Sequence, residues 1–99
     1  MIPKKFKLFA HTWTVEHHHG MITAPDGDIC RGFCDFAALN IKVNVDQAPS
    51  MVMHTYLHEV MHAVLWSLGH TLADDENFVD SVAGALAQMV LTVEGCSET

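Results

Sequence analysis

An α+β fold is expected, with a small three-stranded sheet of antiparallel type followed by two packed helices. Three observations predict it. Short runs in the first half alternate polar and apolar side chains, and the second half carries apolar residues at helical spacing. Gly69 divides that second half into two stretches. The 99 residues suit one domain, 1–99, and a hydrophobic share of 49% is enough to build a core.

The elements follow in order within the strand region, 1–46. Thr12 to Glu16 alternate at the period of a half-buried strand. Pro25-Asp26-Gly27-Asp28 is a turn signal, because Pro presets its φ and Gly tolerates a positive one. It is expected at the tip of a hairpin whose return strand runs from Ile29 to Phe36. Leu39, Ile41, Val43 and Val45 alternate with polar residues and form the clearest strand. A sheet with one apolar face needs a cover, and a helix over 49–68 supplies it. Pro49-Ser50 suits its start, with Pro in the first turn and Ser as a cap. Val52, Tyr56, Leu57, Val60, Met61, Val64, Leu65 and Leu68 follow at helical spacing, and Gly69 then suits a left-handed cap. A second helix, 74–94, opens on Asp74-Asp75-Glu76, which favour the positive end of the helix dipole. It continues through Phe78, Val79, Val82, Leu86, Met89, Val90 and Val93, with Ala83, Gly84, Ala85 and Ala87 allowing close packing. Trp13 and Trp66 are expected in or beside the core.

Composition excludes several functions. The net charge is −7, and Lys4, Lys5, Lys7, Arg31 and Lys42 form no stripe, which argues against nucleic-acid binding. The three N-terminal lysines are expected to be a solvated end. No apolar run approaches the roughly 20 residues of a membrane helix, and the basic start lacks the apolar stretch of a signal peptide. A cytoplasmic protein is expected. Cys30, Cys34 and Cys96 are odd in number and are expected to be free thiols, since no second pair matches Cys30-x-x-x-Cys34.

The eight histidines need a reason. His58-Glu59-Val60-Met61-His62 lies within the first helix, where four residues turn the chain by about 400° and set both imidazoles on one face. Both can reach one ion, and Glu59, turned by about 100°, flanks it as a base. An open zinc site needs a third protein ligand. A third His six residues after His62 would fall at 68, where Leu68 stands, so a carboxylate from the second helix is the alternative. Glu76 fits, with Asp74 or Asp75 in its place if the register shifts. Asp80, one turn on, can accept the free N–H of a ligand histidine. His54 borders the same helix face. His70 either caps the helix end or leans over the metal. His17-His18-His19 alternate along a strand, cannot all face one ion, and are a hairpin-end feature.

His58-Glu59-x-x-His62 followed by Glu76-x-x-x-Asp80 resembles the thermolysin-type gluzincin arrangement on a reduced scale. The stretch from Gly32-Phe33-Cys34-Asp35 through Ile41-Lys42-Val43-Asn44 to Thr55-Tyr56-Leu57-His58-Glu59 is similar to small bacteriophage-encoded metallopeptidases. The resemblance implies a minimal zincin-like domain with zinc on His58, His62 and Glu76, Glu59 as general base, and Asp80 directed at His58. For a phage-encoded protein it implies the host cytoplasm. Large gluzincins have a further C-terminal domain that walls the cleft and supplies an oxyanion donor; here the candidates are Tyr56, His54, His70, Arg31 and the hairpin histidines.

A zinc-dependent peptidase acting on a peptide or protein substrate is therefore expected, with no nucleic-acid or membrane partner. A zinc-stabilised protein-binding module is the alternative, and a metal-free helical packing protein a third reading that leaves the paired histidines unexplained.

Overall fold

The most apolar strand of the first half takes the centre of the sheet. In the computed structural model, which describes residues 2–93, the chain order is β1 (Lys5–Leu8), β2 (His11–His18), β3 (Ile22–Thr23), β4 (Ile29–Cys30), β5 (Gly32–Asp35), β6 (Asn40–Asn44), α1 (Pro49–Ser67) and α2 (Glu76–Thr92). The α+β class and the two packed helices match expectation. The sheet does not: it has four strands in the order β1-β2-β6-β5, beside a separate β3–β4 ribbon. It is also mixed, since β2 and β6 run parallel while the outer pairs are antiparallel. The physical reason lies in β6, whose Ile41 and Val43 expose no surface. A central place flanks them on both sides and keeps β2 from pairing with β5 as one long hairpin.

Two further corrections concern the strands. The N-terminal lysines are solvated as expected, but Lys5 and Lys7 belong to an unexpected strand, on the exposed side of β1 with Phe6 and Leu8 turned inward. The β1–β2 turn is made by Phe9 and Ala10 at φ 52° and 77°, positions where glycine or asparagine is usual. The expected return strand breaks at Arg31 into β4 and β5. Its turn is where the sequence put it, with Gly27 at φ 93° and the Gly27 N–H donating to the Ala24 carbonyl at 2.9 Å.

Strand register sets Phe6, Trp13, Val15, Ile41, Val43, Cys34 and Gly32 on one face. That face meets the helices in a core that includes Trp13, Ile41, Val43, Met53, Ala63 and Ala87. Phe6 stacks on Trp13 with centroids 6.1 Å apart and meets Tyr56 edge-on at 6.3 Å. The opposite face is polar, and Asn40 Nδ2 donates to Thr14 Oγ1 at 2.8 Å across it.

Ala48, not Ser50, is the N-cap of α1, and no side chain caps that end; Pro49 fills the first turn. At the other end Gly69 takes φ 65°. The Gly69 and His70 N–H groups donate to the Trp66 and Leu65 carbonyls, both at 2.9 Å, a Schellman closure that fits the expected cap. Helix α1 lies between the sheet and α2, so burial extends beyond the expected stripe, of which Leu65 is buried and Val52, Tyr56, Leu57 and Val60 pack half-buried on the core. Met53, Thr55, Glu59, His62, Ala63 and Leu65 are buried, whereas Leu68 is exposed. Trp13 is buried, but Trp66 is 46% exposed and stacks on Phe36 at 4.8 Å.

Helix α2 starts two residues later than expected because Asp75 is its N-cap, accepting the Phe78 N–H at 3.0 Å. It buries Val79, Ala83 and Ala87, one turn apart, while Phe78, Met89, Val90 and Val93 stay exposed. Small residues carry the packing because the helices approach closely along that line. The expected end at residue 94 and Cys96 lie outside the described residues; Cys30 and Cys34 are free. No helix among the described residues is long and apolar enough to cross a membrane.

Candidate metal centre

Three histidines spaced by four residues on α1 meet three positions spaced by four residues on α2. His54 lies against Gly84, His58 against Asp80 and Glu76, and His62 against Glu76. The contacts run in opposite directions along the two helices, so a single register between them assembles the whole group.

The ring nitrogens away from the centre are already committed. His62 Nδ1–H donates to the Ala73 carbonyl at 2.7 Å. His58 Nδ1–H donates to Asp80 Oδ1 at 3.0 Å. A neutral imidazole carries one N–H, so in that form these bonds would leave both Nε2 atoms as lone-pair donors to a metal, whereas a protonated ring donates from Nε2 to Glu76 as well. Those atoms face the Glu76 carboxylate, His58 Nε2 at 2.9 Å from Oε1 and His62 Nε2 at 3.2 Å from Oε2. Two imidazole nitrogens and a carboxylate thus converge, an arrangement held either by protons on Nε2 or by a cation between the three groups.

The donor set fits a divalent metal. The ligand atoms of His58, His62 and Glu76 all lie within 4.8 Å of one another. Zinc bonds of about 2.0–2.1 Å in tetrahedral geometry space their ligands by roughly 3.3 Å, close to the separations of the two rings from Glu76. Two imidazoles and one carboxylate also form the ligand type of a catalytic zinc site with an open position. Of the acidic residues that start the second helix, Glu76 is the one brought to the histidines. Asp75 caps the helix, and Asp74 lines the cavity beside it.

Glu59 is buried, at 7% exposure, beneath the histidine pair. Burial pushes its carboxyl up to about 7; the His58 and His62 rings pull it down, and the Glu76 charge adds to the rise. Gly32 of β5 makes room for it. A Cβ there would stand 2.7 Å from Thr55 Cγ2 and 3.0 Å from Glu59 Oε2, so only glycine lets α1 lie this close to the strand.

An open cavity of about 600 Å³ lies in front of the group. Its lining includes Asp26, Asp28, Arg31, Gly32, Phe33 and Cys34 from the ribbon and β5, with His54, His58, Glu59, His62, Glu76 and Asp80 from the helices. Strand β5 is an edge of the sheet, and its residues Gly32, Phe33 and Cys34 border the cavity. Burial, followed by the Glu59 and Asp35 charges, pushes the Cys34 thiol up, which keeps it protonated and inert.

Several sequence candidates lie elsewhere. Tyr56 packs on Phe6 in the core and does not line the cavity. His70 does not lean over the metal position: its Nδ1 accepts the Leu72 N–H at 3.0 Å and shapes the connection between the helices. His17, His18 and His19 are outside the cavity, bonded to the Pro3 carbonyl, Glu16 and Asp46 respectively. Of the oxyanion candidates, Arg31 and His54 reach the cavity lining. Neither the Ala73 carbonyl nor the role of Gly32 belongs to the histidine–glutamate motif. A carbonyl carries no residue signal, but a glycine inside a strand is one, since it marks a close approach.

Comparisons with protein-family models, with curated proteins and with solved structures find no match for this chain.

Proposed function

We propose that this protein is a zinc-dependent peptide hydrolase, with His58, His62 and Glu76 as metal ligands and Glu59 as general base. One observation carries the reading. Two imidazoles with their Nδ1 atoms engaged turn their Nε2 atoms on a carboxylate, beside a second, buried carboxyl that lines the same cavity. A site with a purely structural metal has no use for a base beside it.

Zinc bound there supplies a Lewis acid that polarises a carbonyl and acidifies water. The rest falls to the chain itself. Asp80 and the Ala73 carbonyl hold the two rings in the tautomer that presents Nε2. The Glu59 carboxyl, which lines the same cavity as the histidine pair, is placed to take a proton from water and return it to a leaving amine. The free edge of β5 offers backbone groups to an extended peptide, which would lie along the cavity as an added strand. Arg31 at the cavity lining is the donor suited to a developing oxyanion.

The binding-module reading has one observation in its favour, the absence of Tyr56 and His70 from the cavity lining. Glu59→Gln separates the two. The peptidase reading expects unchanged zinc content and a loss of peptide-library cleavage of about 10²–10⁴-fold. Cleavage that persists undiminished in the Gln variant, or is missing from the zinc-loaded wild type, contradicts it.

A further inference from the structure

We infer that His54 is a positioning residue for the metal centre, acting through Asp80; the inference rests on the metal reading above. His54 Nε2 is buried and has no hydrogen-bond partner among the described residues. It nevertheless stands 3.1 Å from Asp80 Oδ1, at hydrogen-bond distance but too oblique for the bond to form. That oxygen is the one that accepts the His58 Nδ1–H at 3.0 Å. A single carboxylate oxygen therefore sits between two imidazole nitrogens, one bonded and one poised.

The two partners differ in their surroundings, His54 packing against α2 and Asp80 standing in solvent. The His54 ring lies against α2 at Gly84, where an added Cβ would stand 3.5 Å from Cε1 and 3.6 Å from Nε2. The Asp80 side chain is 60% exposed, and the His58 bond alone does not restrain its swing toward water. A slight turn of the carboxylate brings it in line with a His54 Nε2–H and satisfies the orphaned nitrogen. Held from both sides, Asp80 keeps His58 in the tautomer that presents Nε2 to the metal. His54 itself is not part of the ligand group, whose donor atoms come from His58, His62 and Glu76. Its Gly84 seat continues the same four-residue ladder by one step, so the helix register that builds the ligand set also builds its support.

The test is zinc affinity of the full chain, by competition with a chromogenic chelator. A His58→Ala/His62→Ala variant gives the background due to His17, His18 and His19. Asp80→Ala is expected to weaken binding by roughly 10–100-fold, as for other supporting partners of metal ligands. His54→Ala is expected to weaken it by about 3–10-fold, toward the low end of such effects. The Asp80→Ala/His54→Ala pair should bind no more weakly than Asp80→Ala alone, since the second change acts only through the first. His54→Phe keeps a ring on Gly84 and should behave as Ala, whereas His54→Gln brings an N–H back and should restore part of the loss. These two carry the test if the alanine variant folds poorly. Zinc affinity unchanged in His54→Ala and His54→Phe, or losses that multiply in the double variant, would overturn the inference while leaving the metal centre intact. A wild type that takes up no zinc above the background contradicts the metal centre itself, and this inference with it.

Discussion

Glu59 makes no hydrogen bond with the described residues and is 7% exposed, a costly place for a carboxylate unless function retains it. The cost has a measurable sign in the metal-free protein. Its folded-state value of about 7 lies above the ordinary 4.5, so the folded chain holds this proton more tightly than the unfolded one. The stability it contributes is fully present below about pH 4.5 and is lost as the pH rises through 7. Glu59→Gln removes that loss, and urea unfolding at pH 8 should find the metal-free variant more stable by about 1–3 kcal/mol. A less stable Gln variant at that pH would mean the carboxylate is satisfied after all. The acidic residues at the start of α2 separate just as clearly. Asp75→Ala should cost about 1 kcal/mol of stability through the lost cap and leave zinc affinity near wild type. Glu76→Ala should do the reverse, with little change in metal-free stability and a collapse of affinity. Equal effects on affinity at both positions would indicate helix-start electrostatics rather than a ligand.

At the scale of elements, the close contact of β5 and α1 depends on Gly32. Gly32→Ala introduces a Cβ 2.7 Å from Thr55 Cγ2, and overpacking of this kind costs about 1–3 kcal/mol. Thr55→Ser deletes that methyl group and should recover part of the loss, read as a shift in the urea midpoint. A fully tolerated Gly32→Ala would show that the strand and helix are not in close contact. The same elements show what the sequence made legible. His58 and His62 share a helix face by spacing alone, and Gly69 announces its cap because no other residue takes φ 65° so easily. The β1 hairpin was hidden because Phe9 and Ala10 make its turn without glycine or asparagine. The parallel β2–β6 pair was hidden for another reason: alternation shows which side chains face inward but not which strand lies alongside. The burial of Glu59 and His62 was masked likewise, since polarity suggests solvent until α2 and β5 are known to cover that face.

Across the whole molecule, the two helices supply the three residues proposed as ligands, and the sheet supplies the floor under Glu59 and the edge beside the cavity. That Glu76 and Asp80 face the histidines is legible as a pair of carboxylates one turn apart, but their choice over Asp74 and Asp75 depends on where α2 begins. The metal should therefore couple to folding, because it ties α1 to α2 across a connection of eight residues, 68–75. At a free zinc concentration 100 times Kd the native state gains about 2.7 kcal/mol, and a chelator should reverse it. The most direct test of the centre is zinc content per chain after exhaustive dialysis. Wild type, Glu59→Gln and His58→Ala/His62→Ala would be compared, each without a purification tag. The wild type and Glu59→Gln should each hold close to one zinc and the double variant close to none. A wild type that retains no zinc, or a double variant that retains as much as the wild type, would contradict the account.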